Sequence, residues 1–347
     1  MLDAAECSKL RLGANLRLPP GVDSSNFTRT SSTWLVPPAA MLRRLLPCLL
    51  LILSRASPAY TLEPLPVADG VYAFIGDLGA IGPDNDGEVG NSGFVVGTSG
   101  VVVIDTGASY RHGRAMLDAI RRVTEKPVRL VIITHAVQEF LFGSAAFAEL
   151  GVPLLTHAKS AELMRSRCDR CLENLRSIFG IEALAGTRLV VPTQTIAGST
   201  TLDVGGRTLD LLYFGWASTP GDLAVLDRRS GVLFAGGLVA FGRIPELRDG
   251  NLDGWLQALN RLSQAPAQML VPGHGPVGHA EEIEATASYL RDLDAQVRGL
   301  YSGGASLMEA LDSAHLPSYA GWSLYPALHR ENVLHRYLQL ELEELNN

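Results

Sequence analysis

The order of apolar and polar positions divides residues 60–347 into two blocks, each with strands first and helices after. Runs of β-branched residues and alternation of period two predict strands and hairpins at 71–76, 92–105, 128–134, 152–157, 200–215, 222–237 and 268–275. Apolar stripes at helical spacing predict helices at 111–122, 144–150, 160–179, 252–262, 280–298 and 331–345. This repeated alternation indicates an α/β fold in which two sheets pack face to face with helices outside.

The last predicted helix, 331–345, carries a single apolar stripe. Its members are Val333, Leu334, Tyr337, Leu338 and Leu342. Such a stripe needs an apolar surface to cover it, so we expect this helix to pack on the main body. We therefore assign residues 60–347 to one domain that includes the C-terminal helices.

The first 59 residues do not have the pattern of a folded domain. Residues 1–40 have no sustained period, and we predict that they are a disordered upstream extension foreign to the native protein. Met41-Leu42-Arg43-Arg44, the apolar run 45–54 and the small residues near Ala59 have the order of a secretory signal peptide, 41–59. The apolar run is shorter than the roughly 20 residues of a stable membrane span. We expect a periplasmic or secreted protein, with a signal anchor or a buried helix as the alternative.

Charge and cysteine content narrow the function. The net charge of -7 provides no basic stripe, which argues against nucleic acid as a partner. After cleavage near Ala59 the chain would keep two of its four cysteines, Cys168 and Cys171, spaced as C-x-x-C. In an oxidising compartment such a pair favours a structural disulfide, and a redox-active pair is the alternative.

Five stretches of the sequence stand in a recognisable order. They are VVVIDTG (102–108), ITHAVQEFLFG (133–143), ASTPGDLAV (217–225), LFAGGLV (233–239) and LVPGHGPV (270–277). Their order and spacing resemble the metallo-β-lactamase superfamily across nearly the whole of 60–347. Three further stretches, at 249–262, 271–277 and 329–343, resemble more narrowly the quinoprotein relay system zinc metallohydrolases. The resemblance implies a four-layer αββα sandwich, a zinc-dependent hydrolase ancestry, and a periplasmic quinone-dependent dehydrogenase or its carrier as a partner.

The same resemblance implies two zinc ions at one edge of the sandwich, where they activate a bridging water. Carried over onto this chain, the family's ligand positions keep two histidines, His135 and His274, and a longer carboxylate at Glu139. The other four positions hold residues that do not ligate zinc in the family, namely Val137, Phe140, Ser218 and Gly237. Asp105 and Asp222 match family residues that hold the loops of the site. The resemblance therefore implies a degenerate metal site with His135, Glu139 and His274 as remnant ligands.

Three functional hypotheses follow, and whether the protein is an enzyme stays open at this stage. The first is an accessory or binding role with dinuclear zinc hydrolysis impaired or lost. The second is a mononuclear zinc hydrolase that uses His135, Glu139 and His274, with zinc as its cofactor. The third is a redox accessory acting through Cys168 and Cys171. A Ser218–His274 nucleophile pair is a further, more distant alternative.

Overall fold

The computed structural model describes residues 60–345, so the predictions for residues 1–59 lie outside the described part of the chain. Its strands are β1 Leu65–Ala68, β2 Val71–Phe74, β3 Ser92–Val96, β4 Val101–Ile104, β5 Val128–Ile132, β6 Leu154–His157, β7 Gln194–Ile196, β8 Thr200–Val204, β9 Arg207–Leu212, β10 Ala224–Asp227, β11 Val232–Ala240 and β12 Met269–His274. Its helices are α1 Tyr110–Val123, α2 Gln138–Leu141, α3 Ser144–Ala148, α4 Ala158–Phe179, α5 Leu252–Leu262, α6 Ala280–Ser302, α7 Leu307–Ser313 and α8 Arg330–Leu345.

The strands form two sheets that follow the two blocks of the sequence. One sheet has the order β1-β2-β3-β4-β5-β6-β7, and the other has the order β12-β11-β10-β9-β8. In the first sheet the hairpin strands are antiparallel, whereas β4, β5, β6 and β7 run parallel through helical crossovers. In the second sheet only β12 is parallel to its neighbour, β11. The predicted α/β sandwich of two sheets with outer helices is confirmed.

Alternation along each strand sends side chains to two different cores. On β4, Val102 and Ile104 point into the layer between the sheets, where they join residues such as Phe234 of the second sheet. Val101 and Val103 point the other way, into the core beneath α1 and α4. A third core lies between the second sheet and α5, α6 and α8. Successive side chains of a strand face opposite sides, so each sheet is covered on both faces.

A buried ion pair within the second sheet also contacts the first sheet at one end. Arg207 of β9 donates through Nε and Nη2 to the Asp227 carboxylate of β10, at 3.1 Å and 2.8 Å. Its Nη2 also donates to the backbone oxygen of Asp69, in the turn between β1 and β2, at 3.1 Å. The two charged side chains are 1% and 0% exposed. Both charges have their partners, as burial of an ion pair requires.

The C-terminal helix α8 packs on the domain through a stripe that shares only Val333 and Tyr337 with the predicted one. Its buried residues are Asn332, Val333, Arg336, Tyr337 and Leu340. Leu338 and Leu342, which the apolar pattern assigned to the buried face, are 40% and 59% exposed. The reason is that two polar residues occupy the buried face. Asn332 bonds to Pro245 and Leu247, and Arg336 pairs with Asp294 of α6.

No helix within residues 60–345 combines the length and the apolar character needed to cross a membrane.

The corrected face of α8 gives a paired test. We expect Leu340→Ala to lower the free energy of unfolding by about 2 kcal/mol, because a buried leucine leaves a cavity when truncated. Leu338→Ala on the same helix should change it by less than about 0.5 kcal/mol. Urea unfolding of both variants measures the difference. Equal losses would show that Leu338 is buried after all.

Candidate functional site

Loops at the ends of β5, β11 and β12 enclose a small cavity of about 50 Å³ at one edge of the sandwich. Among the residues that line it are all seven positions carried over from the resemblance: His135, Val137, Glu139, Phe140, Ser218, Gly237 and His274. These positions are as far as 139 residues apart in the sequence (274 − 135). The fold therefore brings the remnant ligands together at one edge.

A chain of hydrogen bonds fixes the ring of His135. Asp105 closes β4 with the left-handed φ of 57°, and its carboxylate accepts from the backbone N and the Oγ of Thr134 at 2.8 Å and 2.7 Å. Because the Thr134 hydroxyl donates to Asp105, it accepts from Nδ1–H of His135, 2.8 Å away. Nε2 of the neutral ring then carries a lone pair. Burial lowers the pKa of His135 to about 3, and burial raises that of Asp105 to about 7.

Glu139 and His274 form the closest pair of the remnant ligands. Oε1 of Glu139, in the first turn of α2, lies 3.5 Å from Nε2 of His274, at the end of β12. Burial lowers the pKa of His274, and the positive charge of Arg243 lowers it further. Burial alone would raise the pKa of Glu139, but His274 and Arg243 together lower it. We assign the neutral imidazole to His274, because its ring is buried and the Arg243 guanidinium lies nearby. The positive charge of Arg243 still favours the ionised form of Glu139.

Phe140 occupies the space among the three remnant ligands. Its ring centroid is 4.2 Å from that of His135 and 5.4 Å from that of His274, which it meets edge-on. The side chain is 1% exposed. Apolar surface therefore lies between the two imidazoles, where a hydrated cation would need polar partners.

Gly237 excludes a side chain at the position of the family's bridging carboxylate. A Cβ built there would lie 2.7 Å from Cδ2 of His135 and 2.7 Å from Oγ of Ser218. Both distances are far below van der Waals contact. Ser218 itself donates to the Asp222 carboxylate at 2.8 Å, and the backbone N of Thr219 donates to the same carboxylate at 2.7 Å. Ser218 is thus part of the loop's own hydrogen bonding and does not donate to His274.

The donor set does not fit the two zinc ions that the resemblance implies. A catalytic zinc usually takes three protein ligands of nitrogen, oxygen or sulfur. Within residues 60–345, no group of three or more His, Cys, Asp or Glu side chains is arranged to hold a metal ion. Glu139 and His274 supply two donors, and the ring of Phe140 packs against His135.

Arg243 is a charged residue of the cavity that the sequence analysis missed. It lies in the loop after β11, is 4% exposed, and donates from Nη1 to the backbone oxygen of Gly79 at 2.8 Å. Its other terminal nitrogen is 3.6 Å from Glu246. The only sequence signal was a lone arginine inside an otherwise apolar stretch, 238–245. Its positive charge lies near Glu139 and His274, where it opposes the binding of a cation.

The Gly-rich segment 76–93 also contributes to the site. Nδ2 of Asn91 donates to the backbone oxygens of Pro272 and Gly275, at 2.9 Å and 2.7 Å, and so fixes the loop that carries His274. A Cβ at Gly90 would lie 2.8 Å from the ring of Phe140, so this glycine permits the close packing of that ring.

The two cysteines lie on α4, outside the residues that line the cavity. Cys168 is buried, Cys171 is half-buried, and both are free thiols in the structure. The disulfide expected between them is therefore not formed here. His157, at the N-terminus of α4, stacks on Tyr213 with ring centroids 3.9 Å apart.

The pKa of His135 makes stability depend on pH. Between pH 6.5 and about 3 the unfolded chain binds a proton at this residue and the folded chain does not. Its contribution to the free energy of unfolding therefore falls by about 1.4 kcal/mol per pH unit as the pH is lowered through that window. We expect His135→Asn, whose amide can still donate to Thr134, to remove this pH-dependent contribution to the free energy of unfolding. The stability gap between the wild type and the variant, measured by urea unfolding, should move by about 2 kcal/mol between pH 7.5 and pH 5. A constant gap would contradict the neutral buried ring.

Two facing sheets, outer helices and a histidine-bearing cavity at one sheet edge define a protein of the αββα hydrolase fold. The chain belongs to the metallo-beta-lactamase superfamily, whose sequence profile matches residues 85–274. That match runs from the Gly-rich segment to His274.

Individual relatives agree with this assignment. The linear primary-alkylsulfatase of Pseudomonas sp. (strain ATCC 19151) is 22% identical over 283 residues, which are 70% of this chain and 53% of that protein. The chain thus spans about half the length of this relative. The metallo-beta-lactamase type 2 of Bacillus sp. (strain 170) is 26% identical over 57% of this chain and 72% of its own. Among solved structures, a metallo-beta-lactamase from Pontibacter korlensis matches with a TM-score of 0.55 and 26% identity, over 67% of this chain and 99% of that one.

Proposed function

We propose that this protein is an exported accessory member of the superfamily, which binds a small ligand in its cavity and does not hydrolyse substrates with two zinc ions. The observation that carries the proposal is the packing of Phe140 against both His135 and His274. Gly237 also supports the proposal, because a carboxylate side chain at this position would clash with His135 and Ser218. A cavity closed in this way can accept a polar group, but it lacks the ligands for a metal-activated water.

The ligand chemistry follows from the groups that line the cavity. His135 presents an acceptor at Nε2, and the ionised Glu139 presents a carboxylate. Two acceptors in one cavity favour a neutral ligand group that donates hydrogen bonds, such as a hydroxyl or an amide N–H. A volume of about 50 Å³ admits one small group of this kind, with the rest of the ligand outside.

The cellular setting rests on the sequence. The signal-peptide pattern of 41–59 supports export to the periplasm or beyond. The resemblance of 249–262 and 329–343 to quinoprotein relay proteins supports a role beside a quinone-dependent dehydrogenase or its carrier.

Turnover assays test the proposal. The panel is a β-lactam, an ester, a thioester and a linear alkyl sulfate, each with and without a chelator. We expect no turnover that the chelator abolishes. A parallel thermal-shift screen of small alcohols and amides should give a ligand whose stabilisation is lost in Glu139→Gln. Chelator-sensitive turnover would overturn the proposal.

A mononuclear zinc hydrolase is the second candidate, and one observation favours it. The 3.5 Å gap between Glu139 and His274 is close to the spacing of two ligands on one zinc ion. This reading requires about one zinc per chain and a turnover that is lost in His274→Ala. The accessory reading requires neither.

A further inference from the structure

Two thiols lie one helical turn apart on α4, beside the helix that carries Glu139. Cys168 is 0% exposed and Cys171 is half-buried, and the Sγ of Cys171 donates to the backbone oxygen of Arg167 at 3.6 Å. The surrounding contacts fix this part of α4. Nδ2 of Asn174 donates to Gln138 of α2 at 3.2 Å, and Arg167 pairs with Asp249.

The two thiols differ in their electrostatic surroundings. The hydrogen bond with Cys168 lowers the pKa of Cys171 to about 7, and the positive charge of Arg248 lowers it further, against burial and the charge of Glu139. The same hydrogen bond, with burial and the charge of Asp169, raises the pKa of Cys168. One thiol is thus partly ionised at neutral pH and accessible, and the other is protonated and enclosed. This asymmetry is what distinguishes an attacking thiol from a resolving one.

We propose that Cys171 and Cys168 form a thiol–disulfide exchange site for small, negatively charged disulfides. The Cys171 thiolate attacks one sulfur of the disulfide, forms a mixed disulfide and releases the first thiolate. Cys168 gives up its proton and attacks the Cys171 sulfur, which forms the Cys168–Cys171 disulfide and releases the second thiolate. The two cysteines lose two electrons, the substrate disulfide gains them, and the released thiols take the protons.

Helix geometry makes this disulfide labile. Residues three apart on a helix hold their Cβ atoms about 5–6 Å apart. A relaxed disulfide needs about 3.5–4.5 Å. The bond therefore strains α4, and strained disulfides are the more easily reduced ones. This favours a reversible redox pair over the structural disulfide that the sequence pattern suggested.

The charge around Cys171 indicates the kind of disulfide. Arg248 lies across from it, and Arg170 is exposed on α4 next to it. Both guanidinium groups favour a substrate with carboxylates. Oxidised glutathione has that character, and it is the probe for the experiment.

The experiment treats the folded full-length chain with oxidised glutathione, blocks the remaining thiols and maps cysteines after trypsin digestion. Trypsin cuts after Arg167, Arg170 and Arg176, so Cys168 and Cys171 fall on different peptides. An internal disulfide therefore appears as the cross-linked pair 168–170 and 171–176. Cys7 and Cys48 lie on other peptides and do not interfere. We expect this cross-link to form in excess oxidised glutathione and to be lost in excess reduced glutathione.

Single substitutions assign the two roles. Cys168→Ser should trap glutathione on Cys171, and Cys171→Ser should slow the modification of Cys168 at least tenfold. Arg248→Gln should move the pH midpoint of Cys171 alkylation upward. A circular dichroism spectrum like that of the wild type shows that each variant is folded. The proposal fails if Cys171 reacts only after denaturation, if Cys168 reacts equally fast without Cys171, or if the cross-link resists reduced glutathione. None of these outcomes depends on whether the cavity binds a ligand.

Discussion

Replacement of Arg207 by Met is expected to lower the free energy of unfolding by about 3–5 kcal/mol. The substitution leaves the Asp227 carboxylate buried at 0% exposure without its cation. It also removes the hydrogen bond to the Asp69 oxygen, which joins the second sheet to the β1–β2 turn of the first. Breaking one partner of a buried pair costs far more than replacing both, because the remaining charge has no water around it. Urea unfolding of the purified variant measures the loss.

Two controls separate this effect from general damage. The double variant Arg207→Met/Asp227→Leu should recover a large part of the loss, since it leaves no unpaired charge. Arg228→Met, which removes an exposed partner of Asp210 in the same sheet, should change the stability little. If Arg207→Met and Arg228→Met lower the free energy of unfolding equally, Arg207 does not stabilise the fold as the buried partner of Asp227.

Replacement of Phe140 by His is expected to complete a three-ligand zinc site with Glu139 and His274. The new imidazole would stand within reach of Glu139 and His274, which are 3.5 Å apart, and would complete three ligands of nitrogen and oxygen. Without metal the variant should be less stable by roughly 1–3 kcal/mol, because a buried polar group replaces an aromatic ring. With zinc at a hundredfold excess over its dissociation constant it should regain about 2.7 kcal/mol. Thermal unfolding with and without zinc measures both changes.

Matched variants make this result specific. Phe140→Leu keeps the position apolar and should gain no zinc dependence. Phe140→His/His274→Ala lacks one of the three ligands and should lose most of the stabilisation that zinc confers. A folded Phe140→His protein that zinc leaves unchanged would show that the three side chains do not converge.

The sequence predicted the layers of the fold well, because the period of the apolar residues reports directly which face is buried. Val101 to Ile104 form the predicted strand, and their unbroken apolar run fits the burial of both faces of that strand. The short edge strands β1 and β7 were missed, since Leu65–Ala68 and Gln194–Ile196 have few buried residues. The predicted stripe of α8 was only partly right, because hydrophobicity does not register a buried arginine such as Arg336. Its acidic partners include Asp294 of α6 and Glu343 of α8.

The site was harder to predict than the fold. His135, Glu139 and His274 were selected by position in recognisable motifs, and they do line one cavity. Their relative geometry depends on Phe140, whose packing is decided by contacts from distant segments such as Gly90. Arg243 was missed because its role comes from the loop after β11 and from Gly79, which no local pattern connects. Sequence identifies which groups are present, whereas the distances that decide metal binding come from tertiary packing.

The claim that the remnant ligands do not hold zinc is tested most directly by the zinc content of the purified chain after growth with added zinc. Elemental analysis of the wild type, His274→Ala and Phe140→His at equal protein concentration gives the number of zinc ions per chain for each protein. We expect well below one zinc per chain for the first two and about one for Phe140→His. One tightly held zinc in the wild type, absent from His274→Ala, would contradict it.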